Sequence, residues 1–153
     1  MPDRVYEGGC LCGAVRYEAT GPVRASGWCH CRICQRAIGA PAVPWGSFFM
    51  ENFRWTKAKP SLHHSTDKAE RSFCPTCGSS LTFRYLDSDP AEIDLTLVSL
   101  DDPNALRPQW HIWTMSAPSW HEYDDGLKRY QDNGPDRSLD PDLPSPLGAP
   151  GPR

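Results

Sequence analysis

With 153 residues, 39% of them hydrophobic and 23% charged, the chain is sized for a single domain with a real core. A domain of this length buries about 70% of its unfolded surface. A formal net charge of −3 excludes the basic footprint of a nucleic-acid or anionic-lipid binder. No apolar run approaches the roughly 18 residues of a membrane span, and Met1 to Glu7 hold no signal-peptide core. The expectation is a cytoplasmic protein with no membrane partner and no nucleic-acid partner. Thiols stay reduced there, so clustered cysteines more often hold metal than form disulfides.

In chain order the elements read as mostly β. Ala14 to Glu18 alternates and stops at Gly21-Pro22. Arg32 to Ile38 fits one short helix. Ala42 to Phe49 is an apolar strand in which Pro44 predicts an edge position or a bulge. Phe53 to Trp55, Ser80 to Tyr85, Ile93 to Val98 and Trp110 to Trp113 follow as strands. Many short strands with turn residues between them predict antiparallel sheets. Residues 1–130 form the domain. Residues 131–153 are rich in Pro, Asp, Ser and Gly and hold no aromatic residue, which predicts a disordered tail. A tail docked through Leu139, Leu143 and Leu147 is the alternative.

All seven cysteines fall in three short groups: Cys10-x-Cys12, Cys29-His30-Cys31-x2-Cys34 and Cys74-x2-Cys77-Gly78. Such spacings let thiolates converge on one ion, and thiolate donors favour zinc. The two pairs make a four-cysteine structural site from Cys10, Cys12, Cys74 and Cys77. The trio Cys29, Cys31 and Cys34 is left with an open fourth position, the arrangement of a catalytic zinc. The competing readings are a disulfide or free core thiols for the first group. For the trio, the competitor is a second structural zinc completed by His30 or a distant histidine. Arg32 and Arg36 flank the trio and would lower its thiol pKa values. Three ligands close in sequence predict a more labile second zinc.

At these motifs the sequence resembles the glutathione-dependent formaldehyde-activating (GFA) family. The resemblance is carried by Gly8-Gly9-Cys10-Leu11-Cys12-Gly13, by Cys29-His30-Cys31-x2-Cys34-Gln35 and by Phe73-Cys74-Pro75-x-Cys77-Gly78. Trp110-His111-Ile112-Trp113 and Asp125-Gly126-Leu127 extend it. It implies a mainly β single domain with antiparallel sheets in a tent-like arrangement around zinc. It also implies the same division of cysteines into a structural and a catalytic zinc. The implied activity is that of a carbon–sulfur lyase, S-(hydroxymethyl)glutathione synthase, with a small thiol and an aldehyde as substrates, glutathione and formaldehyde in the named family reaction. A non-catalytic zinc-binding interaction module of the same family is the alternative, and a thiol-redox protein is a third class. His30, His111 and His121 are candidate proton carriers beside a structural reading of each. His63 and His64 sit in a polar stretch and read as surface. Trp28 and Trp45 are candidates to wall the site, or plain core.

Overall fold

A computed structural model describes residues 3–137 and 140–148. It is mainly β, with one α-helix and eleven strands. The strands are β1 (Val5–Gly9), β2 (Arg16–Thr20), β3 (Ala25–Cys29), β4 (Val43–Phe49), β5 (Phe53–Trp55) and β6 (Ser61–Thr66). After them come β7 (Ala69–Phe73), β8 (Ser80–Tyr85), β9 (Glu92–Thr96), β10 (Trp110–Ile112) and β11 (Lys128–Arg129). The helix α1 (Arg32–Ile38) follows β3 after two residues. Among the described residues no helix is long and apolar enough to cross a membrane.

Two sheets result: a three-stranded sheet ordered β1-β2-β5 and an eight-stranded sheet ordered β11-β10-β3-β4-β9-β8-β7-β6. Most pairings are antiparallel, as expected from the short strands. β10 differs, lying parallel to both β3 and β11. The period-2 patterns explain which faces close the core. Tyr17 and Ala19 point inward from β2, between partly exposed Arg16, Glu18 and Thr20. They meet Phe48, Phe53, Leu81, Ile93 and Leu95 between the sheets. The Tyr6 ring meets Phe48 edge-on at 5.4 Å, joining the sheets across this core.

Along β4 the alternation assigns Phe48 to the main core, while Val43 and Trp45 enter a second cluster with Cys29 and Cys34. Pro44 does not mark an edge, because β4 lies inside the sheet between β3 and β9. The ladder with β9 begins only at Trp45↔Thr96, so the missing Pro44 N–H falls beyond it. The strand expected over Ile93 to Val98 ends at Thr96, and a 3-10 turn over Leu97–Ser99 leaves Val98 exposed. β1, β3, β6, β7 and β11 add to the strands read from sequence.

Over its described residues the chain after Tyr130 makes hydrogen bonds to the body. The Trp113 N–H donates to the Asp132 carbonyl at 2.9 Å, and the Arg107 N–H to that of Pro146 at 2.9 Å. The Gln109 amide donates to the Pro144 carbonyl at 2.7 Å. Leu106 and Leu147 form an antiparallel bridge. The Arg137 guanidinium covers the Trp110 ring at 4.5 Å. Backbone hydrogen bonds and a cation–π contact hold this segment, and neither depends on apolar content. Of the leucines, Leu143 is half-buried and Leu147 exposed, and Leu139 lies outside the described residues.

Two candidate metal centres

The first group gathers at two tight turns. One follows β1, where the Gly13 N–H returns to the Cys10 carbonyl at 3.2 Å. The other follows β7, where the Gly78 N–H returns to the Cys74 carbonyl at 2.8 Å. Each turn closes on a glycine at φ +79°, a conformation that side chains with a Cβ resist. The turns bring all four sulfurs of Cys10, Cys12, Cys74 and Cys77 within 4.8 Å of one another. The Cys10–Cys12 sulfurs stand 3.6 Å apart and the Cys12–Cys74 sulfurs 3.8 Å. Four sulfurs at 2.3 Å from a tetrahedral ion stand about 3.8 Å apart, so this donor set fits zinc.

Backbone N–H groups point at the sulfurs, from Val15 to Cys10 at 3.2 Å and from Cys77 to Cys74 at 3.5 Å. Ser79 joins the two turns, accepting from the Leu11 N–H at 3.0 Å and meeting the Cys77 sulfur at 3.2 Å. Hydrogen bonds from the Ser79 hydroxyl and N–H hold the Cys77 thiol down to about 5. Nothing in the sequence singles out Ser79 beyond its place beside Gly78.

The second group is built differently. Cys29 ends β3, Cys31 caps α1, and Cys34 lies in the first turn of that helix. The Cys34 N–H donates to the Cys31 sulfur at 3.3 Å, as the N-cap position requires. The three sulfurs again lie within 4.8 Å of one another, and Cys29 and Cys34 are buried. Hydrogen bonds from the Cys29 and Cys34 thiols hold Cys31 down to about 2, while sharing with Cys31 pushes Cys29 far up. The three thiols thus share their protons as one cluster.

Arg32 and Arg36, which flank the trio in sequence, are both exposed on α1. Arg32 bonds Gln35. The cation beside the trio is Arg71 of β7, with Nη2 3.5 Å from the Cys34 sulfur and only 9% of the residue exposed; it lowers the Cys34 thiol, which the neighbouring thiols and burial still leave raised. Arg71 is far from the trio in sequence, and its position in a strand of ordinary composition gives no signal.

The trio forms one wall of a cavity of about 270 Å³. The register places its other walls. Cys29 pairs with Val43 at one end of the β3–β4 ladder and Ala25 with Ser47 at the other, about 13 Å away. A row across the sheet then runs from Ser47 through Asp94 and Phe83 to Arg71. Trp45, Phe83, Trp110 and Trp113 make the cavity largely aromatic, and Asn133 and Arg137 close it from the docked tail. Trp110 reaches this wall because Gly27 lies beneath it. A Cβ on Gly27 would stand 2.3 Å from the indole nitrogen. Burial pushes the Asp94 carboxyl up to about 6, against a hydrogen bond from the Ser47 hydroxyl. Asp94 was not among the residues singled out in the sequence, where it is the polar member of an alternating strand.

The histidines go elsewhere. His30 and His111 are buried and lie 2.8 Å apart, Nε2 to Nδ1, and His111 Nε2 meets Asp125 at 2.7 Å. Tyr123 stacks on His111 at 4.3 Å, and the His121 ring lies 5.8 Å from that of His30. Burial and the neighbouring His111 hold His30 down to about 4, which keeps it neutral. None of these rings lines the trio cavity. Trp28 stacks on His111 and is likewise outside it, whereas Trp45 is in its wall. His63 and His64 are exposed on β6.

The fold and the paired clusters define a small β-protein with two cysteine sites arranged to hold metal. A family model described as glutathione-dependent formaldehyde-activating enzyme matches residues 5–116, and the chain belongs to that family. A Schizosaccharomyces pombe protein named an uncharacterized lyase is 36% identical over 93 residues, covering 56% of this chain. The matched region spans 60% of that relative's length. A crystal structure of a Rhodobacter sphaeroides protein superposes with a TM-score of 0.53 at 20% identity, over 81% of this chain and 98% of the other. That likeness concerns the fold.

Proposed function

We propose that the chain is a carbon–sulfur lyase that makes and breaks the bond between a small thiol and an aldehyde carbon, as in the synthesis of an S-(hydroxymethyl) thiol from formaldehyde. Family membership and the lyase-named relative support the reaction class. The observation that carries the reading to this site is the convergence of Cys29, Cys31 and Cys34 in the wall of a cavity sized for a small molecule. Its volume lies just below the range of about 300–1,000 Å³ typical of ligand sites. Cys10, Cys12, Cys74 and Cys77 would hold a structural zinc, and the trio a second one. A zinc held by three thiolates supplies an open position that polarises a carbonyl or keeps a thiol ionised.

The chain's own residues do the rest. Aromatic walls exclude water and orient a small substrate. Arg71 offsets the negative charge of the trio from 3.5 Å. The reaction is an addition without redox change: the C–S bond forms, the carbonyl π-bond opens, and the thiol proton ends on the new hydroxyl oxygen. Asp94, with its carboxyl raised to about 6 by burial, lines the far end of the same cavity.

Cys31→Ser tests the reading. The variant is expected to keep the wild-type circular dichroism, carry one zinc per chain instead of two, and lose at least about 100-fold in adduct formation from formaldehyde and a panel of thiols. Unfolding of Cys31→Ser would make the trio structural and favour the interaction-module reading. A wild-type protein with two zincs and no turnover would end the lyase reading.

A further inference from the structure

The Arg71 guanidinium is only partly used by the protein. Its Nε donates to the Ser65 hydroxyl at 3.2 Å, Nη2 faces the Cys34 sulfur at 3.5 Å, and its plane lies over the Phe83 ring at 4.9 Å. Nη1 is buried and has no hydrogen-bond partner among the described residues. A buried arginine is ordinarily paired, and an unmatched N–H on a buried charged group is costly. The carboxylate in the cavity, Asp94, is not its partner. It lies two strands away along the same row, about 10 Å between backbones, with Phe83 between them. Asp94 is instead engaged by the Ser47 hydroxyl. Arg71 lines the cavity, so its guanidinium brings to that wall a desolvated donor with no partner among the described residues.

Nη1 shares its carbon with Nη2, and two C–N bonds of about 1.33 Å separate the two nitrogens. An anionic oxygen on Nη1 is therefore held within one small molecule's length of Cys34, Cys31 and Cys29. Charge-assisted bonds of this kind form at about 2.7–2.9 Å and favour carboxylate over neutral oxygen. We propose that Arg71 is a specificity-determining residue of the site and selects a small thiol acid or aldehyde acid, one whose carboxylate sits beside the reacting sulfur or carbonyl carbon. The inference rests on the lyase reading for the identity of the reacting group, and on Arg71 alone for the carboxylate. A tripeptide thiol such as glutathione carries its carboxylates several bonds further from sulfur and fills a larger volume, so it fits this cavity less well.

The test uses matched pairs that differ in the carboxylate: mercaptoacetate against 2-mercaptoethanol, and glyoxylate against glycolaldehyde. Calorimetric binding to the zinc-loaded wild-type chain is expected to favour the acid of at least one pair by about tenfold or more. The pair that shows the preference identifies whether thiol or aldehyde is the charged partner. Arg71→Gln is expected to reduce the preference to near unity with zinc content and circular dichroism unchanged. Arg137→Gln, which removes the other cation lining the cavity, is expected to leave it in place. Equal binding within both pairs in the wild type overturns the proposal. So does a preference that survives Arg71→Gln or disappears in Arg137→Gln. Should Arg71→Gln fail to fold, the wild-type and Arg137→Gln ratios still decide. Acid-selective binding without turnover sinks the lyase reading and leaves the subsite standing, whereas turnover indifferent to the carboxylate does the reverse.

Discussion

The two cysteine centres use the same side chain for opposite purposes. At the first, four sulfurs come from two turns distant in sequence, and the backbone around them is spent on N–H···S bonds and glycine-closed turns. At the second, three sulfurs come from one strand-to-helix junction and open onto an aromatic cavity with an arginine beside them. The first therefore joins chain segments, while the second faces a cavity. What separates them is the origin of the donors and the polarity of what lies next to them.

Breaking the first centre should have the larger effect. Cys12→Ser removes a donor from a site that ties β1 to the end of β7, and metal binding there is folding energy. We expect insoluble expression, or a melting temperature more than about 10 °C below wild type, measured by circular dichroism. A melting temperature equal to wild type would place the burden of the fold elsewhere and dissolve the contrast with Cys31→Ser.

Removing residues 131–153 is the next test. It deletes the backbone bonds to Trp113 and Arg107 and the Arg137–Trp110 contact. The expected cost is about 1–3 kcal/mol, or a fall of roughly 2–10 °C. The two centres should respond unequally, the trio losing zinc to a mild chelator faster than before and the four-cysteine site at its original rate. Unchanged melting would mean that the tail merely rests on the body.

A smaller effect is expected of Asp94→Asn. Burial raises the Asp94 carboxyl to about 6 in the folded chain, from its ordinary value of 3.8. The folded state thus binds more protons than the unfolded state between those values, and stability falls as pH rises through that window. Asparagine keeps the oxygen that accepts from Ser47 and removes the charge. The variant should match wild type near pH 4, exceed it by about 1–3 kcal/mol above pH 7 in urea titrations, and lose that part of the pH dependence. A wild-type slope in the variant would assign the titration to another group. The smallest effect is expected of Arg32→Ala and Arg36→Ala, exposed on α1. Each should change stability by less than about 0.5 kcal/mol and leave zinc stoichiometry at the trio intact.

The limits of the sequence follow from the same contrast. The helix Arg32–Ile38 and the grouping of the seven cysteines are local facts, readable from spacing and the capping position. The strands β2, β5 and β8 alternate over a few residues and are equally local. Arg71 and Asp94 reach the cavity only because β7, β8, β9 and β4 lie in one register, and no short window of sequence carries that register. His30 sits between two cysteines, one residue past the end of β3, yet its ring meets His111 and stays out of the cavity lining, a pairing 81 residues apart in sequence. The contacts of the tail are hidden from composition for a different reason. Composition measures apolar burial, and this segment is held by carbonyl oxygens and by Arg137 on Trp110.

The parallel seating of β10 against β3 has a consequence for biosynthesis. Ile112 pairs with Cys29, and the cavity wall is completed by Asn133 and Arg137. The trio is thus translated about a hundred residues before its last shielding group. At roughly 5–20 residues per second, its thiols are in the nascent chain for about 5–20 s before the pocket can close over them. Over that interval they are open to oxidants and to any available metal, and what reaches them first is decided by the composition of the surrounding cell fluid.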